Sequence, residues 1–109
     1  MTTYRYDLYG SRDLELQDLE ARVPQQLGLE FTARDSSYWG PYSSWGGPGG
    51  ERIRITSNFT DEDGELLEQD FPAYRSFVYV NRSLTPEVVA EQLLGIEGLQ
   101  HLRTRTLER

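Results

Sequence analysis

His101 is the chain's single histidine, and the serines at 36, 37, 43 and 44 are the hydroxyls it would have to activate. A serine nucleophile needs a base within hydrogen-bond reach, and nothing near these serines in the sequence supplies one. His101 falls in an alternating stretch close to the C-terminus, so it reads as a half-exposed strand residue rather than a catalytic base. Carboxylates are plentiful, with Asp61, Glu62, Asp63, Glu65, Glu68 and Asp70 between Thr60 and Asp70 and no basic residue among them. Paired carboxylates do acid–base work when one of them is buried. This run is polar and turn-like, which points instead to solvated side chains. No catalytic residue is expected, and the chain reads as a non-enzyme.

Metal and phosphate chemistry are no better supplied. Asp61-Glu62-Asp63-Gly64-Glu65 has some of the spacing of a calcium loop. An EF-hand needs an oxygen ligand two residues before Asp61, where Phe59 stands, and a glutamate at the twelfth position, where Asp70 falls. A solvated acidic loop is the plainer reading, with a looser hard-cation site as the alternative. There is no cysteine, which removes disulfides and thiolate metal sites. Gly46-Gly47-Pro48-Gly49-Gly50 lacks the lysine of a phosphate-binding loop and leads into a strand, so it reads as a turn. No metal or cofactor is expected.

Binding is the richer possibility. Asp35 to Gly50, reading DSSYWGPYSSWGGPGG, holds both tryptophans, Tyr38 and Tyr42. Tyr38, Trp39, Tyr42 and Trp45 either fold back as a lid over a sheet face that lacks a helix or stand out as anchors for a partner. Aromatic residues and arginine dominate binding hot spots because they bury much area with few rotors. With Arg34 beside Tyr38-Trp39, and the acidic loop beside Trp45, this would be an aromatic centre with a charged rim. The candidate partner-binding residues are therefore Tyr38, Trp39, Tyr42 and Trp45 with Asp61, Glu62, Asp63 and Glu65.

The elements that must position these groups follow from periodicity. Tyr4 to Tyr9 alternates as a strand, with Tyr4, Tyr6 and Leu8 on one face and Arg5, Asp7 and Tyr9 on the other. Gly10-Ser11 should break it, with Ser11 as N-cap of a helix whose stripe is Leu16, Leu19, Val23 and Leu27. Pro24 should kink that helix or end its first part, and Gly28 should close it. Leu29 to Arg34 alternates again, and Glu51 to Phe59 gives a strand with Ile53 and Ile55 buried. The two would pair across the sixteen-residue aromatic loop. Ser76 to Asn81 is apolar on both sides and reads as an inner strand. Thr85, Pro86 and Glu87 start a second helix with a Leu84–Val89 staple, and Gly95 stops it. Leu99 to Leu107 closes the chain as a strand, with Leu102, Thr104 and Thr106 opposite Leu99, His101, Arg103 and Arg105.

The expected fold is one α+β domain spanning residues 1–109 in the order β-α-β-β-β-α-β. It would be a mostly antiparallel sheet of about five strands with two helices on one face, a ferredoxin-like variant with long loops at 35–50 and 60–74. The net charge of −7 disfavours direct nucleic-acid binding and anionic membranes, and suits a basic protein partner. All eleven cations are arginine, which points to a GC-rich, bacterial genome. With no apolar span and no signal-like N-terminus, the chain reads as cytoplasmic.

In size, acidity and want of catalytic groups, and in the paired loops DSSYWGPY and TDEDGELLEQD, the chain resembles small immunity proteins of bacterial polymorphic or contact-dependent toxin systems. The resemblance implies stoichiometric blocking of a toxin's active site, often a basic nuclease cleft. Three other readings stay open: a ligand-binding module stacking rings on the aromatic loop, a phage-type inhibitor mimicking DNA charge, and a structural homodimer. Monomer and homodimer are both compatible with the sequence.

Overall fold

The computed structural model describes residues 3–37 and 39–108. The chain lays down strand β1 (Thr3–Ser11), helix α1 (Leu16–Leu27), strands β2 (Thr32–Ser36), β3 (Gly40–Gly46), β4 (Arg52–Ser57) and β5 (Ser76–Asn81), helix α2 (Pro86–Leu94) and strand β6 (Gln100–Glu108). The six strands form one sheet in the order β2-β3-β4-β5-β1-β6, and every neighbouring pair is antiparallel. The radius of gyration is 13.4 Å, as expected for one compact domain of about this length.

One face of the sheet carries both helices. Leu19 and Val23 of α1 and Leu93 of α2 close on Tyr9, Ile53, Ile55, Val78 and Val80. Each of these fully buried aliphatic side chains stabilises the fold by roughly 1.5–3 kcal/mol relative to exposure. The opposite face has no helix. There the segment between β4 and β5 folds over one end of the sheet, with Phe71 and Tyr74 packed against Leu8, Phe77 and Tyr79. Gly10 permits this: a Cβ at that position would lie 2.7 Å from Leu102 and 3.0 Å from Phe77 and Tyr74. β1 therefore runs straight through Gly10 and Ser11, where a break was expected, and Ser11 does not cap α1. Its hydroxyl instead accepts the amides of Asp13 and Leu14 in the turn before the helix. The N-cap is Glu15, whose amide donates to the Asp18 carboxylate at 2.9 Å in a capping box.

Pro24 neither ends α1 nor splits it. The helix continues to Leu27, and Gly28 closes it at φ 68°, with the amides of Gly28 and Leu29 turned onto the Pro24 carbonyl. α2 begins at Pro86 after Thr85 and stops at Gly95. The expected staple before it does not form, since Leu84 is 74% exposed while Val89 packs inward.

The main revision is the sixth strand. Residues 40–46 form β3 inside the stretch read as a sixteen-residue loop, so β2 and β4 are not partners but flank it on either side. A second revision concerns β6. A register shift opposite Leu8 and Tyr9 places His101 with Thr104 on the helix-bearing face, and Arg103 with Arg105 on the other. Strict alternation had put His101 with both arginines. A β-bulge inserts one residue and inverts the facing of everything beyond it.

Candidate functional site

The β6 bulge assembles a polar cluster that sequence spacing did not foresee. Asp7, buried in the middle of β1, accepts the Thr104 hydroxyl at 2.5 Å and lies 3.3 Å from His101 Nε2, with Arg5 Nε 2.9 Å from its second oxygen. Thr104 Oγ1 is itself 2.8 Å from His101 Nε2. The composition is that of a hydroxyl–histidine–carboxylate triad, but the wiring is not. A triad uses one ring nitrogen toward the nucleophile and the other toward the acid. Here both contacts converge on Nε2, and the hydroxyl proton goes to the carboxylate. This triangle stitches β1 to β6 and leaves the threonine without a base. A charged residue amid Tyr6, Leu8 and Tyr9 was the signal available in the sequence.

The acidic and aromatic stretches behave differently from each other. In the acidic segment, Asp61 Oδ1 accepts the amides of Asp63 and Glu65, both at 2.9 Å, and Thr60 pairs with Leu66, making a small β-turn hairpin. Glu62, Asp63 and Glu65 are exposed on it and Asp61 is half-buried. Behind it, Asn58 acts as a bracket. Its amide nitrogen donates to the carbonyls of Phe71 and Tyr74 at 3.1 Å, and its oxygen accepts the Glu68 amide at 3.1 Å. Glu68 is thereby turned inward, where it accepts the Tyr79 hydroxyl at 2.5 Å and meets Arg103 at 3.4 Å. Burial, followed by this hydrogen bond and the carboxylate's charge, pushes the Tyr79 phenol well above its ordinary value.

The aromatic stretch is divided between the two faces of the sheet. Trp39 stands at the turn into β3, edge-on to Tyr42 with ring centroids 5.1 Å apart. The Arg54 guanidinium lies 4.2 Å from the Trp39 ring. Burial, with Arg52 nearby, lowers the Arg54 pKa. The Thr56 hydroxyl donates to the Trp39 carbonyl, and Gly40 at φ 62° sits so close to the Phe59 ring that a Cβ would lie 2.5 Å from it. These contacts seat the aromatic turn on the end of β4 from which the acidic hairpin departs. Ser37 of that turn lines one shallow groove with Asp61, Glu62 and Asp63.

Trp45 goes elsewhere. Its position opposite Ile53 turns it toward the helices, where it packs on the core and lines a cavity of about 200 Å³ with Leu27, Leu29 and Val89. The structure thus brings Ser37 of the aromatic turn to Asp61, Glu62 and Asp63, keeps Trp39 beside Tyr42, ties Glu65 to Asp61, and turns Trp45 to the opposite face. Tyr38 lies outside the described residues. Among the described residues no cluster of three or more His, Asp or Glu side chains is placed to hold a metal ion. Nor, among them, is any helix long and apolar enough to cross a membrane.

No family model matches this chain, and no curated protein matches it.

Proposed function

We propose that the protein is a non-catalytic binding domain that neutralises a basic protein by covering its active site, in the manner of an immunity protein. The observation that carries this reading is the adjacency of the aromatic turn and the acidic hairpin, joined by the groove that Ser37, Asp61, Glu62 and Asp63 line. Trp39 and Tyr42 supply the buried anchor, and the exposed carboxylates of Glu62, Asp63 and Glu65 steer and hold the basic partner. The strand order β4-β5-β1-β6 with its two crossing helices reads as ferredoxin-like, with β3 and β2 added beyond β4. The added strands are what carry the aromatic turn. In this reading the protein works in a bacterial cytoplasm beside its cognate toxin.

The test compares wild-type bait with a Trp39→Ala, Glu62→Lys, Asp63→Lys variant in capture from host lysate, after circular dichroism has shown both folded. Asp61 is left in place because it builds the hairpin. The wild type should retain a basic protein and inhibit its activity at a one-to-one ratio, and the variant should lose both. Association of the charge-reversed protein should slow by roughly tenfold or more at low salt. Equal capture and inhibition by the two baits would sink the proposal.

A further inference from the structure

Along its strands, the helix-free face of the sheet carries a charge opposite to that of the molecule, although the acidic 60–75 segment covers one end of it. Pairing registers put Arg34 of β2, Arg52 and Arg54 of β4, and Arg103 and Arg105 of β6 on this side. No strand position facing this way holds a carboxylate, in a chain with eighteen of them and a net charge of −7. Arg103 meets Glu68. Among the described residues, no ion pair engages Arg34, Arg52, Arg54 or Arg105.

Four of these arginines are arranged in two rungs across the sheet. One runs Arg54–Tyr79–Leu8–Arg103, and the next runs Arg52–Asn81–Tyr6–Arg105, each residue directly opposite the next. Adjacent strands lie about 4.8 Å apart, so each rung spans roughly 14 Å with a guanidinium at each end and a tyrosine between. Over the β6 half of the rungs lies an open cavity of about 380 Å³ whose lining includes Tyr6, Asp7, Tyr79, Asn81, Arg103 and Arg105. Arg103 is paired with Glu68 and Arg54 stacks on Trp39, which leaves Arg52 and Arg105 without an ion pair among the described residues. Such an arrangement is retained most simply where an anion completes it.

We propose that this cleft binds a nucleoside monophosphate or a ligand of the same chemistry, a planar heterocycle carrying a phosphate. The cavity volume lies in the range of small-molecule sites rather than of protein grooves. Arg105 takes the phosphate with its planar fork of donors, supported by Arg103. The ring lies on Tyr6, as bases lie on aromatic platforms. The Asn81 side chain, which lines the cleft and makes no hydrogen bond among the described residues, offers a donor and an acceptor to the polar edge of the heterocycle. A local site of this kind suits a small anion, whereas the net charge repels a long polyanion. Neither Trp39 nor Arg54, which stacks on it, lines this cleft, so either site can stand without the other.

The experiment is a titration of the isotope-labelled protein with AMP, followed by amide chemical shifts. Saturable shifts centred on Tyr6, Tyr79, Asn81 and Arg105 are expected. Arg105→Gln, on an exposed edge strand, should weaken binding by about tenfold or more, and Tyr6→Leu should do the same. Adenosine and inorganic phosphate, each lacking half of the ligand, should bind at least about tenfold more weakly than AMP. Arg22→Gln on α1 and the Glu62→Lys, Asp63→Lys pair should leave AMP binding unchanged. Absence of saturable shifts, or equal AMP affinity in Arg105→Gln, overturns the proposal.

Discussion

Tyr9 shows how far packing can override hydrogen bonding at a single residue. Its ring is fully buried under the helices and lies 5.1 Å from His101, yet its hydroxyl is buried without a hydrogen-bond partner among the described residues. An unsatisfied buried polar group costs about 1–3 kcal/mol. Tyr9→Phe keeps the ring and removes the stranded oxygen, so it should raise stability by on the order of 1 kcal/mol, seen as a higher urea midpoint at neutral pH. A lower midpoint would mean that the hydroxyl has a partner, such as an internal water. Asp7, two residues earlier, is as buried but is hydrogen-bonded at one of its two oxygens. Its Oδ1 takes hydrogen bonds from Thr104 and Arg5 and lies 3.3 Å from His101, and so ties β1 to β6.

At the scale of elements, legibility follows the strength of local pattern. β4, β5 and α2 were readable because Ile53 and Ile55, Val78 and Val80, and Thr85-Pro86 with Gly95 are strong period and cap signals. β3 was not, because its residues GPYSSWG combine two glycines, a proline and two serines, all weak strand formers. It is a strand because β2 and β4 on either side satisfy its backbone. The bulge in β6 has no sequence mark either, and it alone decided which face received His101, Arg103 and Arg105. Of the stretch read as an aromatic loop, residues 40–46 became a strand, and Trp45 joined the core because β3 turns it inward. The acidic hairpin yields a prediction at this scale. Asp61→Ala removes both hydrogen bonds to its Oδ1, which should cost about 1 kcal/mol locally. Amide exchange should speed up at Asp63 and Glu65 while the protection of β5 and β1 stays unchanged. Loss of protection throughout the sheet would show that the hairpin is part of the global folding unit rather than a locally opening one.

At the scale of the whole molecule, two packed faces place one phenol each in surroundings that oppose its ionisation. Tyr9 lies under the helices, where burial, and then the charge of Asp7, push its pKa up to about 12 from 10.0. Tyr79 lies under the 60–75 segment and is also raised, by burial and by Glu68. A folded-state pKa above the unfolded one means that the native state holds a proton the unfolded chain gives up. The stabilisation is therefore complete below pH 10 and is lost as pH climbs from 10 through the folded values. For Tyr9 alone the loss between pH 10 and 12 amounts to roughly 2 kcal/mol. Urea unfolding at pH 8, 10 and 11 should accordingly give a constant free energy up to about pH 10 and a decline above it. Tyr9→Phe and Tyr79→Phe should each flatten that decline, and the double variant should flatten it further. The two rings sit on opposite faces of the sheet, so their effects should be close to additive. A decline equally steep in the double variant would place the alkaline weakness outside both faces, and neither phenol would then be the group that limits the fold at high pH.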